Sequence, residues 1–123
     1  MFMKKITLVL LCLLSVCLVK ANGPIQMHEK GSTGNHGGLP IVPADMPEVY
    51  YDDDNLEIII VADGFASYYD VEIFQTEYTI PVISTQIDGY GDSIDISSLS
   101  EGSYTIVITS SNNNEFEGTF YIE

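Results

Sequence analysis

The stretch Ile94-Asp95-Ile96-Ser97-Ser98-Leu99-Ser100-Glu101-Gly102-Ser103-Tyr104-Thr105-Ile106-Val107-Ile108 decides how this chain folds. Apolar side chains recur at every second position through Ile94 and Ile96, and again through Tyr104, Ile106 and Ile108. A strand turns successive side chains to opposite faces, so a period of two marks strands with one buried face. Between the runs, Leu99 stands as a hydrophobic plug before a tight turn at Glu101 and Gly102, and Tyr104 opens the next strand. This is the layout of a tyrosine corner, in which the ring packs inward and its hydroxyl folds back onto the preceding turn. Leu99, Gly102 and Tyr104 are therefore the structural residues expected there.

The same period extends outward in both directions. Leu56, Ile58 and Ile60 share one face of a run in which Ile59 and Val61 make the other face apolar too, as in a strand covered on both sides. Tyr69, Val71 and Ile73 alternate with Asp70 and Glu72; Phe116, Gly118, Phe120 and Ile122 alternate with Glu117, Thr119, Tyr121 and Glu123. Residues 79–85 form a further run, with Ile80 and Val82 on one side and Pro81 confining it to a sheet edge. Turn formers separate the runs: residues 52–55, Asp63-Gly64, residues 88–92, Glu101-Gly102 and residues 110–114. Helical spacing is absent. With Val49 to Tyr51 as the first, about seven strands at turn spacings of about 8 to 12 residues predict an all-β, antiparallel, Ig-like β-sandwich over residues 40–123.

Two segments precede that domain. Lys4 and Lys5 lead an apolar run, residues 6–19, followed by Val19-Lys20-Ala21, the arrangement of a secretory signal peptide over residues 1–21 with cleavage between Ala21 and Asn22. The run is shorter than the roughly 20 residues that span a bilayer, so no membrane insertion is expected after cleavage. The rival reading is a lipoprotein signal that attaches a lipid at Cys17, against which stands the β-branched Val16 just before it. Residues 22–39 are rich in glycine and poor in hydrophobic side chains, which predicts a flexible tether, with residues 25–28 a short edge strand within it.

The whole chain carries 18 acidic and 4 basic side chains, a formal charge of −14. Beyond residue 21 only Lys30 remains against all 18 acids, a charge of −17. So one-sided a surface repels phosphate backbones and anionic lipid headgroups, which excludes nucleic-acid binding. Mutual repulsion also predicts carboxylates that ionise less readily in the compact state. Both cysteines, Cys12 and Cys17, lie in the signal segment, so the exported domain holds no disulfide.

Four blocks of this sequence resemble a domain-of-unknown-function family, DUF3244-like, of small exported Ig-like proteins from Bacteroides-type bacteria. They are the signal segment, Leu56-Glu57-Ile58-Ile59-Ile60, the quoted stretch ending at Ile108, and Phe116-Glu117-Gly118-Thr119-Phe120-Tyr121-Ile122. What the resemblance implies is a fold and a compartment, periplasmic, surface-exposed or secreted, since the family has no assigned activity. One place departs from it. Where such chains often carry a glycine-centred turn after the strand of Val71 and Ile73, this one reads Phe74-Gln75-Thr76-Glu77-Tyr78.

From Asp45 to Glu123 there is no Cys, His, Lys, Arg or Trp. A catalytic triad lacks its imidazole, thiol chemistry its sulfur, Schiff-base chemistry its lysine and phosphoryl transfer its cation, so no enzyme and no catalytic residues are expected. Calcium is the one candidate cofactor. Asp52, Asp53 and Asp54 cluster in one turn with Asn55, and Asp88 and Asp92 in another, hard oxygen donors of the kind Ca²⁺ coordinates, although Asp and Asn also favour turns for local reasons. Asp92-Ser93-Ile94 matches a short O-glycan acceptor pattern at Ser93. The expected function is a non-catalytic binding or adhesion module whose partner is a protein or a glycan. The alternative is a structural or accessory subunit of a larger envelope protein assembly.

Overall fold

In the computed structural model, residues 23–30 and 43–123 are described. Their strands are β1 (Gly23–Ile25), β2 (His28–Glu29), β3 (Glu48–Asp52), β4 (Glu57–Val61), β5 (Tyr68–Gln75), β6 (Ile83–Asp88), β7 (Gly91–Asp95), β8 (Gly102–Ser110) and β9 (Glu115–Ile122). They form two antiparallel sheets, β1-β3-β4-β7 and β2-β9-β8-β5-β6. The alternating residues of each strand meet between the sheets, where Ile58, Val71, Ile73, Ile106 and Ile108 are wholly buried. Register follows from that burial, because a slip by one residue would turn each strand's apolar set to water. At one side of the core Phe120 stacks on Tyr104, with ring centroids 5.6 Å apart, and lies 5.8 Å from Tyr51.

Three sequence expectations change. The run at residues 79–85 pairs only from Ile83 onward, and Ile80 and Val82 are 78% and 46% exposed in the connection before it. Pro81 lacks an N–H and holds its neighbour out of regular pairing, so the ladder starts once it is passed, where Val82 N–H reaches the Ile73 carbonyl at 2.8 Å. β6 does lie at a sheet edge. Strand β4 is only partly covered on its second side, where Ile59 is half-buried and Val61 is 44% exposed. The third change concerns the segment read as a tether, of which residues 23–29 are integrated into the sandwich.

That segment switches sheets. Gly23, Pro24 and Ile25 pair with Tyr51, Tyr50 and Val49, and His28 and Glu29 then pair with Glu117 and Phe116 on the other sheet. The crossing seats Ile25 and Met27 against Gly118 of β9, where a Cβ would lie 2.7 Å from the Met27 sulfur and 2.8 Å from Ile25 Cγ2. The glycine in the middle of β9 is thus the socket for the N-terminal strap. Two short strands cover edge hydrogen-bonding groups that would otherwise be open to pairing.

Candidate functional site

The tyrosine corner closes where the sequence places it. Tyr104, 2% exposed, donates its hydroxyl proton to the Ser100 carbonyl at 2.6 Å. Gly102 takes φ 147°, open to glycine and rarely to other residues, and Leu99 packs half-buried against the core. The departure at residues 74–78 is also resolved: β5 runs on to Gln75, and Glu77, at φ 78°, takes the left-handed place that a glycine would hold.

The acidic turns do not come together. Asp52 pairs across from Glu57, at the start of β4, whereas Gly91 and Asp92 pair with Val61 and Ile60 at its end. Within each turn carboxylates accept from nearby backbone and side-chain donors. Asp52 accepts from Asp54 N–H, Asn55 N–H and the Asn55 amide, which holds its carboxyl below the usual range. Asp53 accepts from the Tyr51 hydroxyl at 2.9 Å, Asp88 from Tyr90 N–H and Asp92 from Ser93 N–H, each at 2.8 Å. Among the described residues no three Asp, Glu, His or Cys groups converge as a metal site. Ser93 sits exposed in β7, the outermost strand of its sheet. Ala21, Asn22, Cys17 and the whole of residues 1–21 lie outside the described residues.

A groove of about 400 Å³ opens between β1 and β9, lined by Tyr51, Asp53, Thr119, Tyr121 and Glu123 among others. Its chemistry is weak. Burial, with the Asp53 hydrogen bond and the charges of Asp53 and Glu123, pushes the Tyr51 hydroxyl up to about 12, so it does not serve as a base.

The opposite result comes from the end of the sandwich where β4 leads into β5, β6 turns into β7 and β8 turns into β9. Backbone bonds stitch these loops together: Ala62 N–H to the Tyr90 carbonyl and Gly64 N–H to the Gly89 carbonyl, both 3.1 Å, and Ser111 N–H to the Tyr68 carbonyl at 3.0 Å. Ser67 N–H reaches Ser111 Oγ at 2.8 Å, and the Asn112 amide donates to the Phe65 carbonyl at 3.1 Å. The Tyr90 ring lies so close over Gly64 that a Cβ there would sit 2.8 Å from Cζ.

Beneath them is a buried carboxylate that sequence reading passed over. Asp45, 4% exposed, accepts from the Ser110 hydroxyl and from the side-chain amides of Asn112 and Asn114, while its carbonyl accepts from the Tyr69 hydroxyl at 2.7 Å. Burial raises the Asp45 carboxyl, but Ser110, Asn114 and Asn112 together outweigh it and hold it below the usual range. The signal was the run Asn112-Asn113-Asn114, which composition explains equally well as a turn. On this fastened frame Phe65, Tyr68 and Tyr90 stand 61%, 40% and 72% exposed.

No protein-family model matches the chain, and no curated protein matches it in sequence. Among solved structures it is similar to a DUF3244 family protein with an immunoglobulin-like β-sandwich fold from Bacteroides vulgatus. The TM-score is 0.61 at 13% identity, over 83% of this chain and 99% of that one. The chain has the immunoglobulin-like β-sandwich fold. At that identity the likeness is one of fold. In such sandwiches the loops cluster at the two ends, and the aromatic loops of this chain occupy one of them.

Proposed function

We propose that this chain is an exported immunoglobulin-like binding module, without catalytic activity, that engages its partner through the loop end bearing Phe65, Tyr68 and Tyr90. The supporting observation is the exposure of three large rings, Phe65 and Tyr90 on loops already fastened to one another and Tyr68 at the start of β5. Asp45 and the backbone bonds order these loops and the Tyr90 ring rests on Gly64, yet each ring keeps a large exposed face, and a ring held in place buries large area at little entropic cost on binding. Export rests on Lys4, Lys5, the apolar run of residues 6–19 and Val19-Lys20-Ala21. Kinship with the small exported DUF3244 proteins rests on the four sequence blocks together with the shared fold.

A second reading, an accessory subunit of an envelope assembly, is favoured by a different surface. Tyr78, Ile80 and Val82 are exposed beside β6, whose outer edge carries no strand partner among the described residues. Capture from envelope extract and from glycan arrays separates the two. Phe65→Ser with Tyr90→Ser should abolish capture if the loop end binds; Ile80→Ser with Val82→Ser should abolish it if the edge does. Equal capture by wild type and the loop-end variant would overturn the first reading.

A further inference from the structure

Resting on the loop-end reading above, we infer that the partner of this end is a cationic polypeptide segment, rich in arginine and lysine, whose side chains stack on Phe65, Tyr68 and Tyr90. Charge complementarity carries the argument. Aromatic faces attract guanidinium and ammonium groups, and here the rings are set among carboxylates. Asp63 directly precedes Gly64, on which the Tyr90 ring rests, and Asp88 pairs across from Tyr68 while its carboxylate accepts Tyr90 N–H. Asp70 follows two residues beyond Tyr68 on the same outer face.

Arginine suits that arrangement doubly, since its plane stacks on a ring while its edge hydrogen-bonds a neighbouring carboxylate. The field of the whole body acts in the same sense. All 17 charged side chains from Asp45 to Glu123 are negative, which steers a cationic partner inward and gives a neutral sugar no advantage. An acidic glycan would be repelled. Between those residues no Lys, Arg or His competes for the rings, and Lys30, which follows β2, has its N–H on the Glu115 carbonyl at the start of β9.

The test uses the isotopically labelled, purified exported protein and follows its backbone amide resonances. Three probes are added in turn: a twelve-residue peptide of repeating Arg-Gly-Lys-Ser, the same peptide with citrulline for arginine and acetyl-lysine for lysine, and neutral cellohexaose. The cationic peptide should move the amides of residues 64–68 and 89–90 in 0.02 M NaCl. Phe65→Ser with Tyr90→Ser should weaken binding about tenfold, and Asp63→Asn less than that. Both rings are exposed, so the unperturbed resonances of the core verify that the variants remain folded. Shifts scattered over the acidic face of β5, β8 and β9, insensitive to the ring variant, would overturn the inference as unspecific attraction. If cellohexaose or the neutral peptide moves the loop end and the cationic peptide does not, the inference fails while the loop-end reading stands. If no probe moves it, the inference fails and the capture experiment judges the loop-end reading separately.

Discussion

Replacing Asp45 by alanine should be among the most damaging single changes in this domain. The carboxylate is the acceptor for Ser110, Asn112 and Asn114, and hydrogen bonds to a charged group contribute about 1.5–3 kcal/mol each in isolation. They do not add, because Asn112 and Asn114 lie towards the surface and can turn to water once released. Ser110, 3% exposed, cannot: its Oγ still accepts from Asn112 and Asn114 N–H, but its proton is left buried without an acceptor, at a cost of about 1–3 kcal/mol. The total should be about 3 kcal/mol, or about 15 °C in melting temperature for a domain of this size. The folded carboxyl is held below its unfolded value of about 3.9, so its contribution is complete above that pH and vanishes as pH falls through the folded value. Urea denaturation at pH 7 and at pH 3 should then show a wide gap between wild type and Asp45→Ala that narrows in acid. A loss under 0.5 kcal/mol at pH 7, or a gap unchanged at pH 3, would refute the reasoning. Asp45→Asn, which puts an amide donor against amide donors, should lose about 2 kcal/mol and keep no acid dependence from this site.

Tyr104→Phe removes the donor to the Ser100 carbonyl and should lower stability by about 1–2 kcal/mol; an unchanged urea midpoint would reduce Tyr104 to a core ring. Gly118→Val fills the socket of Ile25 and Met27, so limited proteolysis should cut within residues 23–29 faster than in wild type, at equal core protection. Millimolar Ca²⁺ should raise the melting temperature no more than Mg²⁺ at equal ionic strength, because the turns of Asp52 and Asp88 sit at opposite ends of β4; a selective rise would establish a calcium site.

Charge counting predicted carboxylates that ionise less readily, and the folded chain answers otherwise where shifts occur. Asp45, Asp52 and Asp95 all move down, the latter two through their bonds to Asn55 and Ser97. A donor within hydrogen-bonding distance outweighs many screened charges farther away. The sum of charges is legible in composition, but the identity of each nearest donor is not.

What the sequence determined by itself was everything that depends on near neighbours along the chain. Alternation marked which face of β5, β8 and β9 would be buried, and the five residues from Ser100 to Tyr104 contain both partners of the corner bond. Tertiary structure decided the rest. Asp45 meets Ser110 and Asn114 across more than sixty residues of chain, Ile25 and Met27 find Gly118 on another sheet, and the β4–β5 connection that bears Phe65 is bonded to the β6–β7 turn that bears Tyr90. The physical reason is that periodicity reports whether a side chain prefers water or the interior, a property of one residue in its strand. Which distant residues then touch is set by how two whole sheets stack, and no local pattern encodes that.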